Sequence, residues 1–230
     1  MFNSDKEMLN ACSDDPSVIF TLIKQGEFEA IQLLIEKNKI DVNVCDGVGN
    51  DVCTRLLKAK QYSLVLQLMK KRNWDVNHQH YMGETFGHIL ALDNSAFAAK
   101  VAEALISKSN FNPDIKNDHG ETMLERAIDN NHVSTSLKIL EDKRVNNIDL
   151  LMFQKLFKTC IKNRYYGKYS KLNNLEVIVN NLDKKELMPS VKVLVEEIKE
   201  NYEIIKKDIL NNKSNLIDEL IASSMSMANA

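Results

Sequence analysis

Residues 83–91 read Gly83-Glu84-Thr85-Phe86-Gly87-His88-Ile89-Leu90-Ala91. Thr85 and His88 stand three apart at the start of a helical pattern. There a short polar side chain satisfies backbone N–H groups that lack an intrahelical partner. Small Ala91 lets a second helix approach closely. Outward from this stretch the pattern recurs. Gly120-Glu121-Thr122-Met123-Leu124-Glu125-Arg126-Ala127 repeats it more loosely, and Gly49-Asn50-Asp51-Val52-Cys53-Thr54 keeps the glycine and a small polar residue. The three glycines lie 34 and 37 residues apart (49 to 83 to 120). Asp41-Val42-Asn43, Asp75-Val76-Asn77 and Asn112-Pro113-Asp114 begin eight positions before them. After each glycine comes a short helical pattern, a polar break and a second helical pattern. Gly26 marks the break in the first unit and Asn131-His132 in the fourth. Leu33, Leu34, Leu68, Met69, Ile139 and Leu140 fall on core positions of the second helices with a period of about 3.6.

These residues resemble the ankyrin repeat, a unit of about 33 residues built as a β-turn and two antiparallel helices. Gly83 to Ala91 is similar to that family's G-x-T-P-L-H-x-A-A signature, without the proline. The helix-break glycine survives only at Gly26. The resemblance covers roughly residues 15–145, in units 15–48, 49–82, 83–119 and 120–145. It implies an all-α solenoid of about four helix-turn-helix repeats with short β-turn or hairpin tips. No single unit buries its apolar face alone, so such units stack and share a core.

Residues 146–230 lose the turn signature. Residues 148–163 and 171–182 read as amphipathic helices and as a degenerate fifth pair. Pro189 suits a helix start, and residues 190–210 read as one long helix. Residues 216–222 add a short last helix. This helical region is expected to cap the stack, with a frayed end at 223–230.

Composition sets the class. The chain has 230 residues, 44% hydrophobic and 27% charged, with only 7 Gly and 3 Pro. That is globular and favours long helical patterns over a β-rich fold with many tight turns. Thirty Lys and Arg against 32 Asp and Glu leave a formal charge of −2, which argues against bulk nucleic-acid binding. No apolar run approaches the roughly 20 residues of a membrane span. No secretory leader is expected from residues 1–15. Cys12, Cys45, Cys53 and Cys160 form no CxxC pair and read as free thiols of a reducing cytoplasm.

Little in the chain points to chemistry. His78-Gln79-His80 is the one histidine cluster, and no carboxylate or cysteine set completes it, so it reads as a solvated hairpin tip and no metal or cofactor is expected. No phosphate-binding glycine loop or nucleophile elbow occurs, so no enzyme activity is expected. Trp74 reads as packing against a second helix. Lys155, Lys158, Lys162, Arg164, Lys168 and Lys171, interleaved with Tyr165, Tyr166 and Tyr169, have no acidic residue among them. They read first as a solvated helix face, and otherwise as a dock for an acidic protein, nucleic acid or an anionic membrane.

The resemblance implies a non-catalytic protein-binding module, monomeric and cytoplasmic, whose concave face of turn tips and first helices carries the contacts. On this chain the tip positions are Val48 and Asn50, then Tyr81, Met82, Glu84 and Phe86, then His119 and Glu121. The first-helix positions are Arg55 and Lys58, then Leu92 and Asp93, then Arg126 and Asp129. Tyr81 and Met82 are the strongest anchors, because aromatic and flexible apolar side chains carry much of an interface's energy. The partner is a protein of unspecified identity: the client of a scaffold or a host target of a microbial effector. An inhibitor that occludes an enzyme, or a binder of nucleic acid or anionic lipid through 155–171, is the alternative.

Overall fold

The computed structural model describes residues 5–146, 148–162, 167–211, 216, 218–220 and 222. The chain is all-helical. Among the described residues strand pairing is limited to two isolated bridges, Cys45 with Asp51 and Gln79 with Thr85. No described helix is long and apolar enough to cross a membrane. The chain divides into two compact units, Met1–Thr122 and Met123–Ala230. The expected boundary near residue 145 therefore falls inside the second unit.

The first unit holds α1 (Asp5–Asp14), α2 (Val18–Gln25), α3 (Phe28–Glu36), α4 (Val52–Lys58), α5 (Tyr62–Leu68), α6 (Phe86–Leu90) and α7 (Ala96–Ile106). α2 pairs with α3, α4 with α5 and α6 with α7. The first helices α2, α4 and α6 pack in sequence, as do the second helices α3, α5 and α7. The core lies between the two rows, with Ile31, Leu34, Leu56, Leu68, Leu90 and Leu105 fully buried.

Short helices need good ends, since the first four N–H groups have no intrahelical acceptor. Asp51 caps α4: its Oδ1 accepts from Thr54 N–H at 2.7 Å. Its Oδ2 accepts from Trp74 Nε1–H at 2.8 Å, which ties the indole to the helix start. Trp74 is accordingly buried and packs edge-on against Phe86, with centroids 5.2 Å apart. α6 begins with a capping box in which His88 takes the place usually held by Glu or Gln. The helix pairs turn alike. Gly26 and Lys60 both close their first helix with positive φ, +77° and +60°, and Glu27 and Gln61 follow with near-identical backbone angles.

The Asp-x-Asn segments do structural work that their spacing did not disclose. Asp41, Asp75 and Asn112 each accept from the backbone N–H two residues on, at 3.0, 3.2 and 3.0 Å. Asn43 then clasps the next unit. Its Nδ2 donates to Asn73 O at 2.6 Å and its Oδ1 accepts from Asp75 N–H at 2.8 Å. Asn77 repeats the clasp on Asn110 O at 2.7 Å and Asn112 N–H at 2.9 Å. A side-chain amide carries one donor and one acceptor group, so it stands in for a missing strand neighbour.

The second unit holds α8 (Met123–Asp129), α9 (Val133–Leu140), α10 (Leu150–Lys162), α11 (Lys168–Leu182), α12 (Pro189–Glu200) and α13 (Tyr202–Leu210). α8 pairs with α9, and α10 with α11. α10 packs on α8 and α11 on α9, so the expected fifth helix pair is present. Asn131 makes the turn between α8 and α9 at φ +58°, and Asp142 repeats the local turn by accepting from Arg144 N–H at 3.0 Å. The expected single helix over 190–210 is instead two helices, broken at Asn201. Its Nδ2 donates to Glu197 O at 2.9 Å, a back-bond that competes with helix continuation. The residues at 223–230 expected to fray, and Ile217 and Ile221 of the expected last helix, lie outside the described residues.

Three substitutions test the turns. Asn77→Asp keeps the acceptor but sets a carboxylate against Asn110 O. It is expected to cost about 1–2 kcal/mol at pH 7 in urea unfolding. Protonation restores a donor, so the folded state raises this carboxyl's pKa and the cost should fade as the pH drops through that value. A cost independent of pH between 3 and 7 would remove the clasp from the account. Gly83 and Gly120 both have positive φ, +67° and +78°. A Cβ on Gly83 would lie 2.6 Å from Asp118 Oδ1, while one on Gly120 meets nothing within 4 Å. Gly83→Ala should therefore destabilise by about 1 kcal/mol more than Gly120→Ala. Equal losses would show that the close approach is immaterial.

Candidate functional site: the turn tips

Each tip is closed by a residue that gathers the backbone around it. In the first, Asp46 Oδ1 accepts from Val48 N–H and Asn50 N–H, both at 3.0 Å, and Gly49 N–H donates to Asp46 O at 2.9 Å. Asn117 closes the third tip the same way, accepting from His119 N–H and Glu121 N–H at 3.0 Å. The middle tip has His80 at this position. Without a carboxylate or amide oxygen there, the chain forms a 3-10 turn over Tyr81–Gly83 and Met82 adopts φ +63°.

His80 reaches backwards instead. Its Nδ1 donates to Gly49 O at 2.9 Å and its Nε2 accepts from the Thr54 hydroxyl at 3.1 Å. His78 Nε2 donates to the same Gly49 oxygen at 3.0 Å. Burial pushes the His80 pKa down, against the opposing pull of the Gly49 carbonyl and Asp51. The ring is thus held neutral, with one nitrogen donating and the other accepting. The expectation of a solvated tip for His78 to His80 is corrected: His80 is buried. His88 does the same one unit later. Its Nε2 donates to Glu121 O at 2.8 Å while Nδ1 accepts from Thr85 N–H at 3.1 Å. Among the described residues no set of three or more His, Cys, Asp or Glu side chains is arranged to hold a metal ion.

The tips held in this way present Val48, Tyr81 and Met82 to solvent, 54%, 74% and 38% exposed. Beneath them, Arg55 on α4 pairs with Asp46. Burial pushes the Asp46 carboxyl up, but the Val48 and Asn50 amides and the Arg55 guanidinium outweigh it, and its pKa ends below the usual range. Lys58 Nζ donates to Asn50 Oδ1 at 2.7 Å. Burial and the neighbouring Arg55 lower its pKa, against Glu84 and Asp46.

The structure separates the expected site residues. Val48, Lys58, Tyr81, Met82, Leu92 and His119 are exposed, and Arg55, Glu84 and Glu121 are half-buried, all in the first unit. Three residues are corrected. Phe86 is 1% exposed, because it packs under Trp74 at the start of α6. Asn50 is buried between Asp46 and Lys58, to which its amide is bonded. Asp93 is buried in a cluster at the helix turns: its Oδ2 accepts from Tyr62 OH at 2.5 Å and Lys60 Nζ at 2.9 Å, and its Oδ1 from Ser95 N–H at 2.9 Å. Neither Phe86 nor Asp93 is open to a partner. Arg126 and Asp129 belong to the second unit, where Asp129 pairs with Lys155 at 2.8 Å.

In the basic interval, Lys155 and Lys158 are exposed on α10 and Lys171 is half-buried on α11. Lys162 ends α10 and Lys168 begins α11, while Arg164, Tyr165 and Tyr166 lie outside the described residues. With Lys155 spent on Asp129, the interval offers less free charge than its composition promised. Burial raises the pKa of Cys12, Cys45 and Cys53, and that of Cys160 to about 12. Thiols held protonated are weak nucleophiles. Ile89, half-buried on α6, is the outward position the sequence reading missed. The signal was available, since it lies 34 residues after Arg55.

The Asp93 cluster predicts an acid limb. Burial pushes this carboxyl up, but the donors from Tyr62, Lys60 and Ser95 outweigh it and hold its pKa at about 2. A carboxyl depressed from its unfolded value near ~3.9 stabilises the fold above that pH and loses its contribution as the pH falls towards 2. Asp93→Asn should cost about 2 kcal/mol at pH 7 and close to nothing near pH 2. Urea midpoints measured across that range check this. A variant with the same acid slope as the wild type would refute it.

No protein-family model matches the chain, and no curated protein shows significant similarity to it.

Proposed function

We propose that this chain is a divergent ankyrin-repeat protein that acts without catalysis, binding another protein on the face of its turn tips. One observation carries the reading. Tyr81 and Met82 project from a tip whose backbone is locked from behind by two imidazoles on Gly49 O. An exposed aromatic and a flexible apolar side chain on a rigid support lose little entropy on binding, which is what a contact anchor needs. The 34-residue register, the paired helices and the imidazole that bridges α6 to the following tip support the repeat assignment. The four free thiols support a reducing, cytoplasmic setting.

The test is affinity capture from lysate of the native source or host, comparing wild type with Tyr81→Ala/Met82→Ala. Both residues are exposed, so the variant should keep its melting temperature within about 2 °C. We expect a protein held at near-equal stoichiometry by the wild type and at least about tenfold less by the variant. Capture unchanged by the double substitution would exclude this face.

A further inference from the structure

We propose that the face made by the tips and the outward stripes of α2, α4 and α6 binds an extended polypeptide segment with carboxylates at one end and apolar anchors at the other. This rests on the protein-binding reading above and adds the chemistry of the partner. The stripes are narrow because most of each helix is inside. On α4, Val52, Cys53, Thr54, Leu56 and Leu57 are buried, which leaves Arg55 and Lys58 outward. On α6, Phe86, Gly87, His88 and Leu90 are buried, which leaves Ile89 and, just beyond the helix, exposed Leu92. The same register on α2 falls on exposed Thr21 and Lys24. Since α2 packs on α4 and α4 on α6, the stripes are neighbours. The Lys58 bond to Asn50 sets them beside the tips.

The chemistry changes along this register. Lys24, Arg55 and Lys58 make one end cationic, and Ile89 and Leu92, with Tyr81 and Met82, make the other apolar. Arg55 is matched by Asp46. Lys24 has no hydrogen bond or ion pair among the described residues. Lys58 bonds only the neutral Asn50 amide there, with Glu84 and Asp46 acting from a distance. An ammonium whose bonded partner is a neutral amide has no opposite charge at contact distance, so an incoming carboxylate adds a Coulombic attraction that the amide does not supply. Asp118 at the third tip fixes the polarity, since it repels an acidic end placed over the apolar residues. The acidic end therefore lies over α2 and α4.

The test is selection of a randomised 12-residue peptide display library on the full chain, followed by fluorescence anisotropy with the enriched peptides. We expect peptides with two or more carboxylates to one side of two or more apolar residues. Lys24→Glu/Lys58→Glu should lose at least about tenfold in affinity at low salt. Lys24→Gln/Lys58→Gln, which removes the charges without setting a carboxylate beside Asp46 and Glu84, should lose affinity while keeping its melting temperature. The wild-type affinity should fall as salt rises. Enriched peptides that are neutral or basic, or an affinity untouched by the charge reversal, overturn this inference and leave the binding face standing. No enrichment, or peptides that bind Tyr81→Ala/Met82→Ala as well as wild type, overturns the face itself and this inference with it.

Discussion

The first unit depends on one constraint: backbone carbonyls and amides at the turns take a side-chain partner from the next or the previous turn. Gly49 O receives N–H groups from both His78 and His80. Glu121 O, bonded to Asn117 N–H in its own turn, receives a second N–H from His88. The amides of Asn43 and Asn77 take both a donor and an acceptor of the following segment. Unsatisfied buried backbone groups cost about 1–3 kcal/mol each. These polar bridges therefore add to the shared apolar core in joining successive units.

This arrangement explains why the tips can be exposed and rigid together. The polar work is done on the inner side by neutral imidazoles and amides, which cost less to bury than ions. The outer side is then released to carry Val48, Tyr81 and Met82. The middle tip makes the exchange most plainly. With His80 where Asp46 and Asn117 close the other tips, the turn gives up its local carboxylate or amide clasp. It gains a link to the unit behind and turns Met82 outward at positive φ. The proposed binding anchors sit where that exchange occurs.

Charge placement follows the same logic of fixed partners. Asp46, Asp93 and Asp142 are each paired with a cation close by, Arg55, Lys60 and Arg144 respectively. Acidic residues that read as surface charge are consumed by structure. Lys24 and Lys58 are left with weaker partners, and the proposed polarity of the binding face comes from that imbalance rather than from the net charge of the chain.

The sequence alone determined the all-helical class, the register of the three glycines, the helix pairs through α11 and the place of Thr85 and His88 at a helix start. These are legible because they rest on local rules: apolar periodicity, end-capping chemistry and turn residues at fixed offsets. Only the tertiary structure decided which of the residues in that register face inward. Phe86 and Asp93 occupy positions that the repeat resemblance assigns to the exposed face, yet Trp74 covers the first and Lys60 and Tyr62 enclose the second, all from more than ten residues away. The break at Asn201 was equally hidden, since a polar residue inside an amphipathic run does not by its spacing mark the end of a helix. Burial and partner choice are settled by residues distant in the chain, and no spacing within the sequence records them.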